Sequence, residues 1–240
     1  MRRAITWGLP LLISVANGAA AQDLSASADT RLVRTRLDSL RARVDSMVAD
    51  RDASAELAKI LAAAEQSGLP VDPILAKVRY AVMVAHAPAP RIVAAAHAVA
   101  ARLEDARKAL APHPTPTDIS AGENALGSGV SRKSLEQIRK VSANRPVAVP
   151  LGVLAQLVAS NVPEERAAKY VTDLIKRGAT ADQLVALGND VNADIKLGSG
   201  AMSALELRMN GLKAVLGAPG ASGDVAAPAA LTSGDGKKKP

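Results

Sequence analysis

Apolar positions recur three and four residues apart along most of the chain. Val33, Leu37, Leu40, Val44 and Met47 form one such stripe across 32–48, with Arg31, Arg34, Arg36, Arg41, Arg43, Asp38 and Asp45 on the other faces. That spacing places apolar groups along one side of an α-helix. Leu57, Ile60, Leu61 and Ala64 make a second stripe that stops at Gly68. Ile74, Leu75, Val78 and Val82 make a third, and Ile92, Ala96, Val99, Leu103 and Ala106 a fourth. None of these reads as a strand. After the proline-rich APHPTPTD at 111–118 the pattern predicts helices over 118–127, 131–142, 150–161, 163–177, 180–197 and 202–215.

The junction RGATADQL shows how one helix is expected to follow another. Gly178 suits the left-handed residue that ends a helix, and Lys176 and Arg177 sit where the helix dipole favours cations. Thr180 fits the N-cap with Gln183 as its capping-box partner, while Ala179 and Leu184 fit a hydrophobic staple. A similar five-residue apolar interval followed by Pro, Ser or Thr occurs at Leu69/Ile74, Ala87/Ile92, Val130/Leu135, Val149/Leu154 and Val162/Ala167. Gly68, Gly129 and Asn161 fill the helix-ending slot in three of them. Connectors this short favour antiparallel neighbours. The fold expected is therefore all-α, an irregular stack of antiparallel helical hairpins, either a bundle or a short α-solenoid. The junctions are unevenly spaced, and the aromatic positions of a tetratricopeptide array are lacking.

Composition sharpens this picture. The sequence has no Phe and no Cys, one Trp and two Tyr. The Trp is Trp7, and it lies in MRRAITWGLPLLISVANGAAAQD, where Arg2 and Arg3, a short apolar run and Ala19–Ala21 describe a cleavable export signal over 1–21. Cleavage near Ala21/Gln22 predicts a periplasmic or secreted product, with no later segment apolar enough to span a bilayer. A cysteine-free exported fold has no disulfides and must cohere through Ala, Leu, Val and Ile alone. The expected organisation is a helical region over 22–110, a Pro-rich linker at 111–117, a helical-hairpin region over 118–216 and a disordered tail over 217–240 that lacks periodicity. The net charge of the full sequence is +7, and loss of Arg2 and Arg3 with the signal leaves a modest +5, three of whose positive charges are Lys237–Lys239 in the tail.

Candidate chemistry is sparse. His86, His97 and His113 are the only histidines. On adjacent helices His86 and His97 can be imagined as metal ligands, with Glu104 and Asp105 two turns below. Asp190 and Asp194, one turn apart, form the other carboxylate pair able to hold a cation or do acid–base work. Asp194 stands near a helix end, where a negative charge is unfavourable. Arg132, Lys133, Arg139, Lys140 and Arg145 against Glu136 alone make a basic strip suited to an anionic partner. Tyr80 lies off its stripe and Tyr170 borders one, so Tyr80 is the better surface anchor. No nucleophile elbow, phosphate-binding loop or dinucleotide fingerprint is present, and nucleic-acid binding lacks stacking aromatics. The function expected is that of an exported, non-enzymatic α-helical scaffold that contacts an envelope protein or anionic envelope polymer and needs no cofactor. The alternative is a metal-binding protein or metal-dependent enzyme using His86/His97 or Asp190/Asp194.

Overall fold

The computed structural model describes residues 35–36, 38–143 and 145–217, so the expected signal at 1–21 and all of the expected tail at 217–240 except Gly217 lie outside the described residues. Every regular element among them is an α-helix: α1 over 38–45, α2 (Arg51–Gln66), α3 (Asp72–Met83), α4 (Ala89–Ala109), α5 (Pro116–Gly127), α6 (Arg132–Ser142), α7 (Ala148–Ala159), α8 (Glu164–Lys176), α9 (Ala181–Lys196) and α10 (Ala201–Leu216). No described helix is long and apolar enough to cross a membrane. The chain packs as two compact units that divide between Ala98 and Val99, inside α4. The Pro-rich stretch therefore lies within the second unit, where it connects α4 to α5.

In the first unit the apolar stripes face inward as their spacing demands. Leu40, Val44, Leu57, Ile60, Leu61, Ile74, Leu75, Val78, Ile92 and Ala96 are all buried. Val33 and Leu37 of the first stripe lie outside the described residues. Asp50 caps α2 by accepting the Ala53 N–H at 2.8 Å. Arg36 pairs with Glu65 at 2.5 Å.

The second unit is ordered by cap chemistry. Gly129, Asn161 and Gly178 all have positive φ. The following residues return N–H bonds to the preceding helix: Val130 to Ala125 O, Val162 to Leu157 O and Ala179 to Leu174 O. These bonds satisfy carbonyls that a helix end leaves unpaired. At Thr180 both arms of the capping box are made: Gln183 N–H donates to Thr180 Oγ1 at 3.2 Å, and Thr180 N–H donates to Gln183 Oε1 at 2.9 Å. One junction differs. The Val149/Leu154 interval predicts a start at Pro150, whereas α7 starts at Ala148 and Val149 is an exposed helical residue. Its N-cap, Val147, has no capping side chain, and the cap comes instead from Asp118 on α5.

The closest helix packing is not simply between consecutive helices. α7 packs on α8 and α9 on α10, but the most extensive interfaces join α5 to α7 and α7 to α9, and α6 also packs on α8. Bonds between helices two apart fix their directions. Asp118 in the first turn of α5 meets the start of α7, and Glu164 at the start of α8 meets the start of α6. Gln156 and Asn189, each eight residues past its helix start, lie side by side on α7 and α9. Arg177 at the end of α8 donates to the Gly217 carbonyl at the end of α10. Helices α5, α7 and α9 thus begin at one end, with starts at Pro116, Ala148 and Ala181 that are 32 and 33 residues apart. The unit is built from a two-helix step, and its core is Leu103, Leu110, Leu135, Ile138, Leu151, Leu154, Leu157, Leu174 and Leu205.

Candidate functional site

The basic residues predicted as a strip fall on α6 and the connector after it. Arg132, at the start, pairs with Glu136 at 3.0 Å, one turn along. Lys133, beside it, lies within electrostatic reach of Glu164. Arg139 and Lys140 occupy the last turn, where the dipole favours cations. Arg139 donates from Nη2 to the Arg145 carbonyl at 3.2 Å, and Arg145 donates from Nη2 to the Ile175 carbonyl at 3.4 Å. The strip is therefore divided: its first two members face carboxylates, and Arg139 and Arg145 are drawn together at the far end.

Arg145 lines a groove of about 370 Å³ between the α6–α7 connector and the start of α9. Pro146, Val149, Pro150 and Leu184 give it apolar walls. Ser142 lines it too, is 2% exposed, and has no hydrogen-bond partner for its hydroxyl among the described residues. A wider groove, of about 570 Å³, runs between α9 and α10 with Leu207 and Val215 at its edge. Its charged lining residues, Asp190 and Arg208, already interact with each other, so it presents fewer unused recognition groups.

Two acidic residues organise this region. Asp118 is 3% exposed. Its Oδ1 accepts the N–H groups of Val147 at 2.9 Å and Ala148 at 3.0 Å, while Oδ2 accepts Thr115 Oγ1 at 2.9 Å and Thr115 N–H at 3.3 Å. One carboxylate thereby caps α7 and completes the capping box of α5. Glu164 plays the related part for α6. Its Oε1 accepts the Ser131 hydroxyl at 3.0 Å, the Ser131 N–H at 3.3 Å and the Ser134 hydroxyl. Burial works against its charge, yet bonds from Ser134 and Ser131 outweigh burial and hold its pKa below the usual glutamate value. A depressed carboxylate adds stability above its unfolded-state pKa and loses it as pH falls through the folded-state pKa. Acid titration of Glu164→Gln should accordingly lose part of the pH dependence seen in the parent below the ordinary glutamate range. Equal acid profiles would deny Glu164 this role.

Asp190 and Asp194 do come together, and with a cation of the chain's own. Arg208 on α10 forks onto Asp194 with bonds of 2.6 and 2.7 Å and approaches Asp190 at 3.5 Å. Hydrogen bonding from Arg208 lowers the Asp194 pKa and raises that of Arg208. This pairing explains an acid near the end of α9, since the guanidinium offsets the unfavourable dipole. The histidines are scattered. His86 lies exposed in a positive-φ turn, His113 lies exposed in the α4–α5 connector, and His97 is exposed on α4 with Glu56 at 3.7 Å. Glu104 turns to Arg107 and Lys108 on its own helix. Among the described residues no three His, Cys, Asp or Glu side chains gather as a metal site. Tyr80 is 54% exposed with Lys77 above its ring, and Lys213 lies above Tyr170.

No family model, curated protein or solved structure matches this sequence. Local geometry must therefore carry the functional reading. The residues that pattern reading missed are Asp118, Glu164 and Ser142. The first two bore a visible signal as acids in the first turn of a predicted helix, but their partners lie about thirty residues away along the chain. Ser142 bore none, because a serine near a helix end is ordinary until its environment is known.

Proposed function

We propose that this chain is an exported, non-enzymatic α-helical interaction scaffold of a bacterial-type cell envelope. The hairpins of its second unit stack antiparallel as a short α-solenoid, and the edge formed by the end of α6 and the α6–α7 connector meets an anionic envelope protein or polymer. One observation carries the reading: Arg139 and Arg145 are drawn together beside an apolar groove, with Lys140 in the same last turn of α6. A patch that combines cationic groups with an apolar recess suits a binding surface. Export is supported by Arg2, Arg3 and the apolar run that follows them. The metal reading has less support, because the Asp190/Asp194 pair is engaged by Arg208.

The test is a photo-crosslinking residue placed at Lys133, Lys140 or Arg145 of the full chain in its native envelope, with control positions at Lys59 and Ala186. A discrete adduct at 140 and 145 that weakens with salt is expected, together with a processed chain that begins near Gln22. Indiscriminate labelling at all five positions, or an unprocessed chain in the cytoplasm, would contradict the proposal.

A further inference from the structure

We propose that the groove between the α6–α7 connector and the start of α9 binds a carboxylate borne on an aliphatic group, as at the end of an apolar peptide. This rests on the reading of the chain as an interaction scaffold and specifies what that scaffold recognises. Three kinds of donor converge on the groove. Arg145 lines it and, among the described residues, its guanidinium makes one long bond, of 3.4 Å, to the Ile175 carbonyl. A guanidinium has five N–H donors in a planar fork that matches a carboxylate. Thr180 and Ala181 also line the groove at the start of α9. The capping hydroxyl of Thr180 takes the N–H of Gln183, which leaves the N–H groups of Ala181 and Asp182 without a helical acceptor at the positive end of the dipole.

The third donor is the most telling. Ser142 is 2% exposed and its hydroxyl has no partner among the described residues. A buried hydroxyl in that condition destabilises the fold, and few persist without a role. In the last turn of a helix it would ordinarily bond back to a carbonyl of the preceding turn. Here it belongs to the lining of the groove instead. The remaining walls, Pro146, Val149, Pro150 and Leu184, offer nothing to a small hydrophilic anion but fit an aliphatic side chain. At about 370 Å³ the groove holds a short segment, not a polymer. The chain's own lysine run, Lys237–Lys239, carries the wrong charge for it.

The experiment is a titration of the isotope-labelled full chain by NMR with N-acetyl-Ala-Leu, with the same peptide as its C-terminal amide, and with acetate. The free acid is expected to shift the amides of Ala181, Asp182 and Leu184, with the amide binding about tenfold more weakly. Arg145→Gln should weaken the acid to a similar degree and leave the amide unchanged. Ser142→Ala should have a signature no packing role would give: an equal or higher Tm for the unliganded protein together with weaker binding of the acid. Acetate equal to the peptide would overturn the aliphatic part of the proposal, and equal binding of acid and amide would overturn the carboxylate part. No shift at α9 with any of the three would overturn the whole. The crosslinking at 140 and 145 reports on the scaffold separately, so adducts there without a response to the peptide would sink this inference and leave that reading standing.

Discussion

Replacement of Asp118 by Ala should lower the unfolding free energy by about 3 kcal/mol, the largest loss expected from removing one side chain's polar contacts. The magnitude follows from how many groups the carboxylate serves. Its removal leaves the Val147 and Ala148 N–H groups without an acceptor at the start of α7, and it opens the capping box of α5 at Thr115. Val147 is fully buried, so water cannot replace the lost acceptor at that position. Each helix cap contributes about 1 kcal/mol, and a stranded buried donor costs about 1–3 kcal/mol. Asp118→Asn separates shape from chemistry. One amide oxygen can still serve one pair of donors, but the NH₂ must then face the other pair, and an intermediate loss of about 1–2 kcal/mol is expected. Thr115→Ala, which touches only α5, should cost about 1 kcal/mol. Urea unfolding midpoints measure all three, and a loss below that of Thr115→Ala for Asp118→Ala would contradict the double-cap account.

The second large effect is at Gly122, where addition of a single methyl should destabilise by about 2 kcal/mol. A Cβ built there would lie 2.9 Å from the Ala106 Cβ, 3.1 Å from Leu110 Cδ1 and 3.3 Å from Leu135 Cδ2. The Ala106 methyl is fixed directly to the backbone of α4, so relief requires the helices to part. Alanine's better helix propensity returns up to about 1 kcal/mol, too little to offset the overlap. Gly188 is the control. There an added Cβ meets the Gln156 Oε1 at 2.7 Å, the far end of a flexible side chain whose bond to Asn189 is long, at 3.5 Å. Gln156 can swing aside, so Gly188→Ala should be neutral or slightly stabilising. Thermal melts that ranked the two substitutions the other way would mean that contact at α4–α5–α6 is looser than described.

These two sites also mark where pattern reading stops. Local signals predict what local chemistry decides: the left-handed Gly178, the Thr180 capping box and the buried stripe positions among the described residues stand where their spacing puts them. The start of α7 was misplaced at Pro150 because its cap is a carboxylate 29 residues earlier in the chain, and no local motif encodes that. The same cause hid the two-helix step. The Val149/Leu154 interval, which lies inside α7, makes the junction spacings look irregular, whereas α5, α6, α7, α8 and α9 start 16, 16, 16 and 17 residues apart in turn. Asp194 looked anomalous for a related reason, since its partner Arg208 belongs to the next helix. Of the candidate site, the basic residues were legible from composition. The recess that gives them an apolar neighbour is formed from two connectors and was not.

Helices two apart share an end, with α5 tied to α7 and α6 to α8 there by acidic side chains, and amide hydrogen exchange at Val147 and Ala148 tests this most directly. Amides at the start of a helix lack an intrahelical acceptor and ordinarily exchange fast. Here both should exchange only as slowly as the core of α7, and Asp118→Ala should release them while Leu154 and Leu157 stay protected. Fast exchange of Val147 and Ala148 in the parent protein would contradict the account.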